Sequence, residues 1–525
     1  MRPVVPLVAL AALILTAVAA PVGAGTTPQV VAVHPNPVAD GDRGEFAVVR
    51  FPVVADLAAY TLTDGEDRVP LPNRTVEGRV VLAADPGAIA RNATGRLIRL
   101  DAFPALANDG DRVRLVRENR TVAGLRYGDA PEGETYRNGT WHAPAATDRP
   151  VVHAGPGTAR AFVLPDAPRA PLSAVRNASD RVLLAGYTLT SARVTRALLA
   201  AGERGARVRV LVDGAPVGGL SRIEATRLNR LAAAGIEVRV VGGPRAPYAF
   251  HHAKYVVADG RATVLTENWK PAGTGGASSR GWGVTLSDRD AVRALAATFR
   301  EDADAFGAVD WRRFRRGKTF EPSNASRGSY PANIAPVRVP YQNASVLVAP
   351  DNAERAVVRR LRRANESVRV LQMSVGDAGQ PFLAATVAAA RRGVETRVLL
   401  SGAWYAAEEN RAVVERLNAL ADREGLPLSA RLARPRGRFE KVHAKGAVVD
   451  DTVLLGSLNW NNHSARENRE VVVALRGPRV ADYYRRAFDR DWRASGERLP
   501  VGLPVALAVG AAACLLAARR LRFES

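Results

Sequence analysis

The chain has 525 residues, 47% hydrophobic and 24% charged. That length exceeds one ordinary domain, and the composition excludes a mainly disordered or fibrous polypeptide. The single cysteine, Cys514, excludes a disulfide scaffold, a cysteine-based zinc site and an intrachain redox pair. Lys+Arg 74 against Asp+Glu 52 gives a net charge of +22, and the excess is lopsided. Residues 31–150 hold 15 basic and 17 acidic side chains, whereas 151–525 hold 58 and 35. A surface of that sign attracts polyanions such as nucleic acid, anionic lipid or acidic polymers.

Residues 1–25 read as a secretory signal peptide. One Arg precedes a long apolar run, and small residues follow at Ala19, Ala20 and Gly23. Residues 28–150 then show short apolar runs broken by Asp-Gly and Asn-Gly turns, among them EFAVVRF, GRVVLAA and DRVRLVR. This predicts an all-β region, a sandwich, with no catalytic grouping; His34, His142 and His153 are surface or structural. The succession VAVHPNPVADGDRGEFAVVRF, YTLTDGEDRVPLP, LANDGDRVRLV and GLRYGDAPEG resembles a lamin-tail domain. That family is an immunoglobulin-like sandwich used as an appended binding module.

Strands then alternate with helices, the pattern of an α/β fold. RVLLAGYTL, ARVRVLVD and IEVRVVGG are strands, separated by helices over SARVTRALLAAGERG and SRIEATRLNRLAAAG. The same order recurs with SVRVLQMSV, VETRVLLSG and LSARLARP as strands around two further helices. The repeat predicts two similar lobes, 155–305 and 341–498, joined by a linker over 306–340. Residues 499–518 are almost unbroken apolar and long enough for a transmembrane helix. Arg519, Arg520 and Arg522 follow, which assigns 519–525 to the cytoplasm and the body to the extracellular side. Nine Asn-x-Ser/Thr triplets in that body suit a glycoprotein.

The repeat sharpens at two places. His252, Lys254, Asp259, Asn268 and Trp269 share their spacing with His443, Lys445, Asp450, Asn459 and Trp460. On a strand, residues two apart face the same way, so each His and Lys enter one cavity. Imidazole attacks or donates a proton near neutral pH, and ammonium neutralises phosphate oxygens. Only five of the 74 basic residues are lysine, and two of them occupy these positions. A generic positive charge here would be Arg.

The pair resembles the HxKxxxxD signature of the phospholipase D superfamily over residues 150–495. Gly456-Ser457-Leu458-Asn459 matches that family's following segment, and Leu265-Thr266-Glu267-Asn268 departs from it but keeps a hydroxyl. The resemblance implies a pseudo-twofold catalytic unit with the site between lobes. His252 is then the nucleophile that forms a phosphohistidine, and His443 the acid and base. Lys254, Lys445, Asn268 and Asn459, with the hydroxyls of Thr266 and Ser457, hold the phosphoryl oxygens. Asp259 and Asp450 belong to the catalytic motifs and support the lobe or the histidine network. Glu470, in Asn468-Arg469-Glu470-Val471, orients His443 or its partner across the cleft. The first copy has Gly281-Trp282-Gly283-Val284 there, which predicts an asymmetric site lacking one acid. No metal or cofactor is expected. The substrate is a phosphodiester, with nucleic acid favoured by the charge; phospholipid hydrolysis or phosphatidyl transfer is the second reading, and a non-catalytic nucleic-acid-binding or adhesion protein the third. The membrane is contacted through the C-terminal helix, and the sequence does not identify a protein partner.

Overall fold

The computed structural model describes residues 26–496, apart from 38–42, 88, 90–92, 94, 144–145, 243–245, 306, 324–325 and 377–378. The expected signal peptide (1–25), membrane helix (499–518) and cytoplasmic tail (519–525) lie outside the described residues. Among the described residues no helix is long and apolar enough to cross a membrane. The chain divides into two compact units near residue 141.

The first unit is built from two sheets of six and four strands. Gln29–His34, Phe46–Asp56 and Thr75–Ala83 pair antiparallel, and Arg96–Arg99 joins parallel to the last of these. Tyr60–Thr63, Arg112–Arg117 and Arg120–Arg126 form most of the second sheet. Alternation sends Val33, Ala47, Val49 and Leu82 from one sheet, and Leu62, Val113 and Leu115 from the other, into one core. His34 is buried there, with Nδ1 on the Glu134 carbonyl oxygen, a structural role.

The second unit contains the repeat as two sheets of matching strand order. In the first lobe, parallel Arg181–Gly186, Arg207–Asp213 and Glu237–Val241 are followed by the antiparallel hairpin Tyr255–Ala258 and Arg261–Leu265, then Ser279–Leu286 and Gly157–Leu164. In the second, Ser367–Gln372, Glu395–Leu400 and Leu428–Leu432 are followed by Lys445–Val449, Thr452–Gly456, Glu470–Arg476 and Asn343–Ala349. Ala192–Glu203 and Arg222–Ala233, started by Ser191 and Ser221 caps, cross over between the parallel strands of the first lobe.

Two edge strands stitch the lobes together. Val152–Ala154, just ahead of the first lobe, pairs with Asn343–Ala349 of the second. Val337–Tyr341, just ahead of the second lobe, pairs with Gly157–Leu164 of the first. The 306–340 segment is therefore structured in part, with Ala308–Asp310 also joining the first sheet. One core cluster draws Trp282, Val284 and Phe299 from the first lobe and Val453, Leu455 and Tyr484 from the second. Gly446 stands where the first motif has Tyr255; a β-carbon there would lie 2.4 Å from the Trp282 ring. Glycine at that position lets the lobes close on each other.

Candidate active site

Both motif histidines lie in the segment leading into a central strand, and each is fastened to the opposite lobe. The His252 N–H donates to the Arg469 carbonyl at 3.0 Å, and the His443 N–H donates to the Arg280 carbonyl at 3.0 Å. Those two arginines are equivalent and buried. Arg280 pairs with Asp166 and Asp491 at 2.6 and 2.8 Å, with its guanidinium 4.7 Å from the Phe439 ring centre. Arg469 pairs with Asp302 and Asp351 at 2.9 and 2.8 Å, over Tyr248. A guanidinium satisfied on both sides holds its strand in one position, so the carbonyl that receives the foreign histidine is fixed.

The imidazoles are oriented across the same boundary. His252 Nδ1 lies 2.8 Å from Glu470 Oε1, and this carboxylate is fully buried. Of the two alternatives for Glu470, the partner across the cleft is the one observed. His443 has an acid as well: its Nδ1 lies 3.3 Å from Glu267 Oε2. The expected one-acid asymmetry is corrected by this contact. Strand register explains how. Glu470 pairs with Ala349 and Gly281 with Leu164, each the residue before a Pro-Asp, so Gly281 occupies the place of Glu470. Glu267 fills the space a side chain at 281 would need: a β-carbon on Gly281 would lie 2.3 Å from Glu267 Cγ. The acid has moved from the strand to the neighbouring turn, where the second copy has Leu458. The paired exchange, Glu267 with Gly281 against Leu458 with Glu470, is visible when the two halves of the sequence are aligned.

With Nδ1 held by carboxylate, each ring keeps Nε2 for chemistry. Side-chain exposure of 11% for His252 and 16% for His443 leaves a small part of each ring accessible. Tyr187, unrecognised in the sequence, packs edge-on to His252 at 4.7 Å between ring centres. Lys254 donates to the His252 carbonyl and lies 5.3 Å from the Tyr187 ring centre. Lys445 donates to the His443 carbonyl at 2.9 Å and lies 3.4 Å from both ring nitrogens.

Electrostatics tie the two motifs together. Burial, then the charges of Lys254, Lys445 and His443, holds His252 well below the usual imidazole range. Burial and Lys445 lower His443 to about 4, against the opposing pull of Glu267. Burial lowers Lys445 to about 8 and raises Glu470 to about 7. Each motif thus feels charges belonging to the other lobe.

The remaining motif residues divide into two groups. Asn268 and Asn459 each have a buried Oδ1 without a partner among the described residues, and neither amide nitrogen bonds the protein. Both side chains are available to an incoming oxygen. Thr266 and Ser457 are not: both are fully buried, and their hydroxyls accept the Trp282 and Val471 N–H groups at 2.9 and 3.0 Å. Their expected place among the phosphate contacts is corrected to a strand-bracing one. Asp259 and Asp450 stand at the far hairpin turns with φ of 50° and 49°. Asp259 accepts N–H bonds from Ser179, Asp180 and Arg181, and Asp450 from Asn365, Glu366 and Ser367. They support the lobe rather than the histidines, so the catalytic label is corrected for both. His251 is structural, with Nε2 on Asp302 at 3.2 Å. Among the described residues no group of three or more His, Cys, Asp or Glu is placed to hold a metal ion.

A family model described as "Cardiolipin synthase, PLD-like domain" matches the chain twice, over residues 172–303 and 357–492. No curated protein matches. Among solved structures, the phospholipase D family member Nuc from Salmonella typhimurium is similar at 21% identity, covering 30% of this chain and 97% of its own, with a TM-score of 0.26. Phosphatidylserine synthase of Haemophilus influenzae Rd KW20 is 13% identical, covering 66% of this chain and 87% of its own at a TM-score of 0.49. Polyphosphate kinase of Porphyromonas gingivalis is 13% identical, covering 63% and 49% at a TM-score of 0.40.

Proposed function

Since the chain belongs to the PLD-like family of the cardiolipin synthase model, matched over half its length, we propose that its cleft cleaves a phosphodiester by two displacements at phosphorus. The observation that carries this is the reciprocal support of the imidazoles, Glu470 on His252 and Glu267 on His443. Glu470 accepts the Nδ1 proton of His252 and leaves a lone pair on Nε2. That nitrogen attacks phosphorus, a P–N bond forms and the P–O bond to the leaving group breaks. His443 gives its Nε2 proton to the departing oxygen, then takes one from water or an alcohol that attacks the phosphohistidine. Lys254, Lys445, Asn268 and Asn459 hold the non-bridging oxygens as charge gathers on them. Burial first and Lys445 second depress His443, and a bound anion offsets the lysine part of that lowering.

Nucleic acid is the substrate class this reading favours. Its support is the basic excess, 58 against 35 charged residues, confined to 151–525. Phosphatidyl transfer is the second reading, favoured by the description of the matching family model. The exported, membrane-anchored placement belongs to the same proposal and rests on the apolar runs at 1–25 and 499–518. A lamin-tail-type binding module over 28–150 rests on the sequence resemblance and the two-sheet core. The test is a single-turnover reaction with a phosphate-labelled oligonucleotide, quenched in alkali, where phosphohistidine survives. Label should appear on the protein and vanish in His252→Asn. Turnover without a labelled protein in any variant would contradict the mechanism.

A further inference from the structure

Four of the chain's five lysines lie in the two motifs or within two residues of a motif residue, in a protein that otherwise uses arginine for positive charge. Lys254 and Lys445 belong to the motifs; Lys441 and Lys270 do not. Lys441 stands two residues before His443, on the short strand that pairs with Ser279–Leu286. Lys270 stands two residues past Asn268, in the turn that carries Glu267. Neither forms an ion pair or side-chain hydrogen bond among the described residues. Burial lowers the Lys270 ammonium, the Glu224 carboxylate opposes this, and the Lys441 charge adds to the lowering, so the two ammoniums lie within reach of each other's charge.

Beside them the turn after Glu395–Leu400 carries Trp404 and Tyr405. Trp404 is 89% exposed, among the largest apolar exposures on the second unit. The two rings stand edge to face, 5.6 Å apart at 85°. Lys441 Nζ lies 5.3 Å from the Tyr405 ring centre. Tyr405 borders the site: burial, then the charges of Glu267 and Glu440, raises its hydroxyl to about 12. The equivalent turn of the first lobe, after Arg207–Asp213, has Pro216 and Val217 instead and touches Tyr187 through the Val217 N–H. The aromatic pair is therefore one-sided, on the His443 flank.

We propose that this rim is a nucleotide subsite for single-stranded nucleic acid: Trp404 and Tyr405 stack the base on the leaving-group side, and Lys441 and Lys270 hold the phosphate next to the scissile one. The inference rests on the nucleic-acid reading above and makes it specific. An exposed aromatic face beside an ammonium suits a base and its phosphate, because every base has a π-face and stacking tolerates any sequence. A bilayer is the poorer fit: the two most exposed large apolar side chains among the described residues, Trp404 and Val217, stand on turns of different lobes.

The experiment compares the full chain with Trp404→Ala, Lys441→Ala, Lys270→Ala and Lys318→Ala, the last as a charge control outside the cleft. The substrates are oligothymidylate, an all-abasic tetrahydrofuran oligomer of equal length, and phosphatidylglycerol vesicles. Trp404→Ala should raise KM for oligothymidylate by roughly 5- to 100-fold, with kcat little changed, and the penalty should vanish on the abasic oligomer. Lys441→Ala and Lys270→Ala should each reduce the salt slope of binding by about 0.7, with Lys318→Ala unaltered. Equal KM for Trp404→Ala and wild type on oligothymidylate would overturn the subsite. So would a wild-type enzyme that turns over only the vesicles, or a Trp404→Ala defect confined to them. His443→Asn separates the two levels: if it is inactive while the rim variants behave as wild type, the subsite fails and the mechanism stands.

Discussion

The two lobes present the same chemistry through different residues. Each has a histidine and lysine two apart, an asparagine beyond the hairpin, and a buried arginine whose carbonyl receives the other lobe's histidine. They differ in where the supporting acid is rooted. In the second lobe it is Glu470, on a strand, fully buried and 2.8 Å from its histidine. In the first it is Glu267, on a turn, 3.3 Å from its histidine, over a glycine that makes room for it. A carboxylate at a given point in space is what the imidazole requires, and two backbone positions can supply it. The lobes also differ at the rim, aromatic on one side and aliphatic on the other.

The largest effect should come from the imidazoles themselves. His252→Asn and His443→Asn each remove a group that the proposed mechanism uses in both displacements, and kcat should fall by roughly 10⁴-fold or more. The melting temperature should change little. A variant of either histidine that keeps a tenth of the activity would break the equivalence of the two lobes. Next come the acids. Glu470→Gln should cost roughly 10²- to 10³-fold in kcat, and Glu267→Gln less, roughly 10- to 10²-fold, following the shorter and longer contacts. Moving the acid back, with Glu267→Leu and Gly281→Glu together, should recover part of what Glu267→Leu loses; no recovery would deny that the two positions are interchangeable. Gly281→Glu alone should lower the melting temperature, because Glu267 already occupies its space.

Much of this was legible in the sequence. The repeat, the two His/Lys pairs and the amides at Asn268 and Asn459 are readable because both halves keep the same spacing, although the histidines stand just ahead of the strands and the amides just beyond the hairpins. Glu267 does not stand at the sequence position equivalent to Glu470, and register, not order, decides which residue occupies a point in space. Thr266, Ser457, Asp259 and Asp450 match the motif yet serve the backbone; their hydrogen-bond partners lie on other segments, which spacing cannot reveal. Tyr187 carries no motif at all and is found only by its contact with His252.

A pH experiment sharpens the electrostatic side of the comparison. Lys445, lowered to about 8 by burial, holds phosphate only as the ammonium, so KM should rise as pH increases through about 8. Lys445→Arg cannot lose its proton and should remove that alkaline limb, at some cost in kcat for the altered head group. The smallest effects belong to the turns: Asp259→Asn and Asp450→Asn should each cost about 1–2 kcal/mol of stability with kcat within a few-fold of wild type. A large kcat loss at unchanged stability would return those aspartates to the chemistry.

The most direct measurement is a crystal structure of the protein with orthovanadate, whose five-coordinate form imitates phosphorus in mid-displacement. One vanadium should sit between the lobes, bonded to His252 Nε2, with His443 Nε2 in hydrogen-bond reach of the oxygen on the opposite axis. Vanadate held by a single lobe, with the second imidazole out of reach, would contradict the shared site.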